Sequence, residues 1–357
     1  MPSLIVPPVL HHVRPAPTKE ALDYAELAII DFSKIDSPEG RAELAVQVRD
    51  ALSTQGFFYV INHGYTQPQN DRIFDIADVP FATVSDEEKK AYVANIKATG
   101  TYYGYKLREY WHIDGGVRDQ LEHYNINPDV TRNNHPEAFR PFLPEIDSFL
   151  RFNHFNVVHP ILRLLALGME LPEDTFIDQH DFKAESWRAY PRSDDDEKKS
   201  KNVWLKGHTD MGSITVLWSQ PIAALQILSR DGQWRWIKHI ENALVVNSGD
   251  AIEFLSGGFY KATIHRVVQP PQDQRGIARL GVFYFCQANE DVKLIPRAES
   301  PIFQKHQIIR RCSDVDAPTM KIWREGRTRG YGTTDLKKRE DGNEEELVGG
   351  LVVKHYN

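Results

Sequence analysis

From Arg188 to Cys286 the chain is a succession of short β-type runs separated by turn residues. The runs are Arg188–Pro191, Val203–Leu205, Ser213–Trp218, Leu225–Leu228, Trp234–Ile237, Leu244–Asn247, Ala251–Phe254, Ala262–Gln269 and Arg279–Cys286. Asp231-Gly232, Ser248-Gly249-Asp250 and Gly257-Gly258 punctuate them. Many short strands with no helices between them predict two stacked sheets of the jelly-roll type, also called a double-stranded β-helix. The expected fold class is mainly β with flanking helices around that core.

Within this region, the stretch Lys206–Ser219 (KGHTDMGSITVLWS) contains His208-Thr209-Asp210. On a strand, side chains alternate faces, so His208 and Asp210 share one face and Thr209 takes the other. His265, in the run Ala262–Val268, is the candidate third member from another strand. Two histidines and one carboxylate with open positions beside them suit non-haem Fe(II), which must also bind oxygen and a co-substrate. A lone His-x-Asp is a weak signal in a chain with 14 histidines, and the surrounding sequence carries the argument.

The rest of the chain supplies flanking elements. Ala28–Phe32 reads as a short strand. Gly40–Ser53 reads as a helix with Leu44, Ala45, Val48, Ala51 and Leu52 on one face, stopped at Gly56. Phe57–Ile61 follows as a buried strand, and Asn62-His63-Gly64 as a turn in which His63 is structural. Ser85 and Glu88 have the spacing of a helix start. The aromatic, glycine-containing stretch Gly100–Ile113, which includes Tyr105, is expected to form a loop over a pocket mouth or an ordinary packed surface loop. Gln120–Ile126 alternates as a strand. Glu145–Glu170 is a long apolar-striped helix that Pro160 should kink or split, and His154 and His159 on it are read as packing or surface residues, not ligands. The charged run Ser193–Lys201 reads as a solvated hairpin connection. Asp314–Asn357, weakly helical and then polar, is expected to pack on the barrel or close its mouth.

Composition narrows the function. A formal net charge of −7 argues against a nucleic-acid-binding surface. The longest apolar runs, such as Ile161–Met169, are too short to span a bilayer, and Met1–Pro17 lacks the apolar core of a signal peptide. Two cysteines, Cys286 and Cys312, do not suggest a disulfide scaffold, so a cytoplasmic location is expected. The expected partner is a small-molecule substrate, with neither nucleic acid nor membrane. The oligomeric state is left open.

Several ordered motifs together resemble one enzyme family. GHTDMGSITVLWSQ, ALQILSRDGQWRWI, ALVVNSGDAIEFLSGGFYKATIHRVV and ARLGVFYF resemble the catalytic half of the 2-oxoglutarate- and Fe(II)-dependent dioxygenases. The likeness is to the branch of isopenicillin N synthase and the plant flavonoid oxygenases. IIDFS at Ile29–Ser33 and TQGFFYVINHG at Thr54–Gly64 resemble its N-terminal half, so the likeness runs from about Ile29 to Gln287. The resemblance implies Fe(II), 2-oxoglutarate and dioxygen, with His208, Asp210 and His265 holding the iron. It implies that Arg279 pairs with the distal carboxylate of 2-oxoglutarate, assisted by Tyr190. The family's Arg-x-Ser reads Arg279-Leu280-Gly281 here, so a hydroxyl is missing. Arg188 is a candidate to compensate, to bind an acidic substrate, or to make a surface salt bridge. Tyr124, Ile126, Tyr105 and Gln287 are the implied substrate-side residues, whereas Trp218 and Phe285 read as core.

The implied division of the chain is an arm (1–26), an N-terminal α/β region (27–183), the jelly-roll core (184–290) and a C-terminal helical extension and tail (291–357). The implied activity is hydroxylation, desaturation or cyclisation of a small organic molecule, as in secondary metabolism, with release of succinate and CO2. Two other readings remain open at this point: an oxidase of the isopenicillin N synthase type that needs no 2-oxoglutarate, and a non-catalytic ligand-binding barrel.

Overall fold

The structure is a computed structural model that describes residues 7–113, 116–182, 187–189, 194–330, 337–338, 344–348 and 350–355. In chain order its strands are β1 (Ile29–Asp31), β2 (Phe57–Ile61), β3 (Gly104–Lys106), β4 (Leu121–Asn125), β5 (Trp187–Ala189), β6 (Val203–His208), β7 (Ile214–Trp218), β8 (Leu225–Leu228), β9 (Trp234–Trp236), β10 (Leu244–Ser248), β11 (His265–Val268), β12 (Arg279–Cys286), β13 (Lys337–Lys338), β14 (Glu344–Val348) and β15 (Leu351–His355). An eight-stranded sheet runs β1-β2-β10-β7-β12-β5-β4-β3, and a four-stranded sheet runs β6-β11-β8-β9. Together they form the jelly roll; the sheets are not closed into a continuous barrel.

Alternation along the strands decides what lies between the sheets and what lies outside. Phe57, Tyr59, Leu217 and Val245 of the large sheet meet Leu225 and Ile227 of the small one, with Phe283 packed beside them. Their neighbours Phe58, Val60, Val216, Trp218, Val246, Leu280, Val282 and Tyr284 point to the other face, where they meet helical residues such as Leu44, Val48, Leu52, Ile161 and Leu165. Each fully buried side chain of this size stabilises the fold by roughly 1.5–3 kcal/mol. One helix, Pro38–Thr54, is capped by Ser37, whose side chain accepts from the Gly40 amide.

The predicted long helix is divided. Leu143–Phe152 and His159–Gly168 are α-helical, and Asn153–Val158 between them is a π-type turn. Pro160 has no amide hydrogen, so the ladder cannot run through it unchanged. Two expectations are corrected. Ala251–Phe254 is not a strand but part of a short helix, Asp250–Leu255. Its apolar residues are buried on all sides, and a short, wholly buried run has no periodicity to tell a strand from a helix. The charged run near residue 197 is not a solvated hairpin; Asp194–Lys199 is a helix. The basic residues that close it, Lys198 and Lys199, complement the negative end of the helix dipole. Glu197 is buried and accepts from Trp204 Nε1 at 2.7 Å.

Residues 7–26 form an irregular arm tied down by contacts such as the His12 amide to Asp75 (2.7 Å) and a bridge from Tyr24 to Trp236. At the other end, the helix Met320–Gly330 buries Met320 and Trp323 against Phe254, Leu294 and Val353. No described helix is long and apolar enough to cross a membrane.

Candidate metal centre

The antiparallel register of β6 and β11 places His208 directly opposite His265. Directly opposed residues project from the same face, and the two imidazole centroids lie 4.5 Å apart. Asp210 follows on the turn that leaves β6. Its Oδ1 lies 3.8 Å from His208 Nε2 and 3.6 Å from His265 Nε2. Among the described residues, this is the one group of three such side chains whose donor atoms all lie within 4.8 Å of one another.

The surrounding hydrogen bonds orient all three donors. His208 Nδ1 donates to the Lys206 carbonyl at 2.8 Å, and His265 Nδ1 donates to the Thr263 carbonyl at 3.1 Å. A carbonyl oxygen only accepts, so the proton sits on Nδ1 and both Nε2 lone pairs face Asp210. The outer oxygen of Asp210, Oδ2, accepts from Thr215 Oγ1 (2.6 Å) and Asn247 Nδ2 (2.8 Å), leaving Oδ1 toward the histidines. Burial holds His208 well below the usual imidazole range, with the adjacent His265 adding to the effect. Burial pushes Asp210 up, but His265, His208 and its two donors outweigh it and keep the carboxyl below its ordinary value. Two neutral imidazoles and one carboxylate are a donor set that fits Fe(II).

The turn carrying Asp210 is held from behind. The Asp250 amide donates to the Asp210 carbonyl at 2.7 Å, and the Ala251 amide donates to the Gly212 carbonyl at 3.0 Å. A Cβ on Gly249 would strike the Gly212 and Asp210 carbonyl oxygens, so only glycine permits this approach. Asn247 and Asp250 both contact this turn.

Arg279 begins β12 and is 5% exposed. Alternation puts Arg279, Gly281, Phe283 and Phe285 on the face that looks between the sheets. Its Nε has no hydrogen-bond partner, and no carboxylate pairs with its guanidinium among the described residues. Burial alone lowers it to about 10. A buried cation without a counter-charge is costly, so the position suits an anionic ligand. Tyr190 lies outside the described residues. In the backbone register, residue 188 stands opposite Leu280 and Glu122, while Arg279 pairs with Ala189. The Arg188 side chain lies outside the described residues. The space beside Gly281 is not vacant: a Cβ there would lie 2.5 Å from Phe283 Cε2.

A cavity of about 100 Å³ opens beside the triad. Tyr102, Trp111, His123, Asn125, Phe285 and Gln287 line it, together with Arg327 from the C-terminal helix. Gln287 and Phe285 also border a wide outer groove of about 1670 Å³, so they stand where the two spaces meet. Three expected substrate residues are elsewhere. Tyr105, Tyr124 and Ile126 belong to the large hydrophobic core. Tyr124 donates its hydroxyl hydrogen to His135 Nδ1 (2.6 Å), and Tyr105 donates to the Pro80 carbonyl (2.7 Å). The alternation on β4 is one residue out of phase with the expectation, and it is His123 and Asn125 that face the cavity. Tyr102 and Trp111 come from the aromatic stretch expected over the pocket mouth. Phe285 lines the cavity rather than the core. Nothing local in the sequence marks Arg327, which reaches the cavity from a distant part of the chain.

Residues 177–288 match the 2OG-Fe(II) oxygenase superfamily. Residues 27–145 match the family described as non-haem dioxygenase in morphine synthesis, N-terminal. A flavonol synthase/flavanone 3-hydroxylase of Eustoma exaltatum is 30% identical over 254 residues, which cover 68% of this chain and 71% of that protein. The 2-oxoglutarate-Fe(II) type oxidoreductase hxnY of Emericella nidulans is 28% identical over 287 residues, covering 74% and 80%. A full-length Neurospora crassa protein, solved in complex with alpha-KG and thymine, superposes with a TM-score of 0.72 at 22% identity, covering 85% of this chain and 96% of that one. Sequence, fold and donor set agree: the chain belongs to the 2OG-Fe(II) oxygenase superfamily, oxidoreductases that use Fe(II), 2-oxoglutarate and dioxygen.

Proposed function

We propose that this oxygenase hydroxylates a small ring-bearing molecule of secondary metabolism, with His208, Asp210 and His265 as the iron ligands and Arg279 as the anchor for 2-oxoglutarate. The observation that carries this reading is the buried, oriented triad opening on a cavity walled by aromatic side chains. When bound, iron and 2-oxoglutarate supply the oxidation: dioxygen is consumed, 2-oxoglutarate becomes succinate and CO2, and one oxygen atom enters the substrate.

The protein's own residues bind, orient and exclude water. The Lys206 and Thr263 carbonyls keep the Nδ1 protons in place, and Thr215 and Asn247 hold the carboxylate in one rotamer. Tyr102, Trp111 and Phe285 offer flat apolar surface to a ring. Asn125 and Gln287 offer amides to its polar edge. Asn125 Nδ2 donates to the Tyr102 carbonyl at 3.0 Å, which turns its Oδ1 to the cavity as an acceptor. Relatives named scopoletin 8-hydroxylase and flavonol synthase/flavanone 3-hydroxylase support a ring substrate and secondary metabolism. Free Cys286 and Cys312 support a reducing cytosol as the location.

The test is succinate release by anaerobically reconstituted enzyme challenged with small aromatic and heteroaromatic compounds. Substrate-dependent succinate is expected. Substrate oxidation without succinate would replace this reading with the oxidase one, and tight binding without turnover would replace it with a binding protein.

A further inference from the structure

The C-terminal helix reaches the metal-ligand turn through Arg327, beside a contact of Thr328 Oγ1 with Met211 Sδ at 3.7 Å. Arg327 is 4% exposed. Its Nη2 donates to the Thr209 carbonyl at 2.8 Å, and its Nη1 donates to Asp250 Oδ2 at 2.7 Å. The other oxygen of Asp250 accepts from Thr209 Oγ1 at 2.9 Å, and the Asp250 amide holds the Asp210 carbonyl. Thr209 is therefore gripped at its carbonyl by Arg327 and at its hydroxyl by Asp250, which Arg327 also binds. Thr209 sits between His208 and Asp210, so this closed ring of contacts fixes the backbone that aims both donors.

We propose that Arg327 is a positioning residue of the metal centre: from outside the jelly roll, its guanidinium sets the geometry of the His208–Asp210 turn and hence the protein's affinity for the metal. This rests on the reading of His208, Asp210 and His265 as metal ligands. A guanidinium suits the task because its planar fork holds its donors to the carboxylate and the carbonyl in fixed directions, whereas the donors of an ammonium rotate. Arg311 Nη1, 3.3 Å from Asp250 Oδ1, keeps the carboxylate compensated when Arg327 is replaced. The substitution therefore removes the link to Thr209 without stranding a charge. Arg324, on the same helix, provides a contrast. It binds the Gly100 carbonyl and Glu290 (2.7 Å), and none of its hydrogen bonds involves Thr209 or Asp250.

The experiment titrates Co(II) into metal-free, full-length protein and follows the visible d–d bands, which report both affinity and coordination geometry. Partners behind metal ligands typically change affinity by about 10–100-fold. Arg327→Met is expected to raise the Co(II) dissociation constant by at least about tenfold and to alter the bands. Arg327→Lys should fall between it and the wild type, and Arg324→Met should stay within about twofold of the wild type. Wild-type affinity and spectrum in Arg327→Met would overturn the proposal. So would an equal loss in Arg324→Met, because the effect would then belong to helix docking in general. If Arg327→Met does not fold, Arg327→Lys decides: it keeps the charge but loses the planar fork, and wild-type affinity and spectrum in it would overturn the proposal. Failure of the wild type to bind Co(II) would instead overturn the metal-site reading beneath it.

Discussion

Gly281 lies two residues beyond Arg279 on β12, and a serine there tests how the wall beside the guanidinium is packed. If the missing serine hydroxyl leaves a gap beside Arg279, Gly281→Ser should fill it and tighten 2-oxoglutarate binding; if Arg188 already fills it, the added hydroxyl should be neutral or crowd the site. In the fold, the ring of Phe283, two residues along the same face, already occupies that space. A Cβ on residue 281 would lie 2.5 Å from Phe283 Cε2 and 3.2 Å from Cζ. Ordinary carbon contacts are about 3.5–4.0 Å, so the ring must retreat by roughly 1 Å. It is stacked on Phe285 with centroids 5.6 Å apart and planes 7° apart, and it packs against the cluster between the sheets, so the retreat disturbs a packed wall. Overpacking of this kind costs about 1–3 kcal/mol. A hydrogen bond to a charged group returns about 1.5–3 kcal/mol only if the hydroxyl reaches it, and here the ring stands in the way.

Gly281→Ser is therefore expected to lower the urea-unfolding stability by about 1–3 kcal/mol and to leave 2-oxoglutarate affinity unchanged or weaker. Phe283→Val should relieve the clash, so that the double variant shows a coupling energy of at least about 1 kcal/mol. Equilibrium denaturation of the four proteins, with anaerobic 2-oxoglutarate titrations, measures both quantities. A single Gly281→Ser variant with wild-type stability and tighter 2-oxoglutarate binding would refute the reasoning, because it would mean that the space beside Arg279 is open.

Other consequences follow from the same geometry. His208→Ala, Asp210→Ala or His265→Ala should each abolish turnover and metal binding while near-ultraviolet circular dichroism keeps its folded signature; iron-dependent activity at wild-type level in any of them removes that ligand from the assignment. Arg279→Leu should raise the apparent KM for 2-oxoglutarate by at least about a hundredfold, yet leave the unliganded protein as stable or more so, because it removes a buried cation that has no counter-charge; a large loss of stability would contradict this. Burial lowers His180 and His154 to about 4. Between the ordinary value near 6.5 and about 4, the unfolded chain therefore binds more protons than the folded one, and stability falls as pH drops through this window, by roughly 3 kcal/mol from fully buried His180 alone. A denaturation midpoint that stays flat from pH 7 to pH 5, or His180→Gln with the same slope as the wild type, would refute it.

The candidate iron donors were legible because their signal is local. His208-x-Asp210 at a strand end, followed by His265 in another β run, is a pattern of residue type and spacing, although β6 ends at His208 and it is the turn after it, not strand alternation, that brings Asp210 beside the two histidines. The antiparallel architecture was legible for the same reason, since short runs and turn residues recur between Arg188 and Cys286. The cavity wall was not. Whether β4 shows Tyr124 or Asn125 to the cavity depends on which sheet face is covered by helices, and that is a property of packing, not of the strand. The run at Asp250–Leu255 is short and almost wholly buried, so its periodicity could not separate a helix from a strand. The grip of Arg327 on Thr209 and the ring of Phe283 over Gly281 depend on which side chains the tertiary structure brings within a few ångströms. No spacing rule links residues 209, 250 and 327. Local pattern determined the donor set and the strand order's raw material, and only the three-dimensional packing decided which neighbours hold that donor set and which space beside it is already filled.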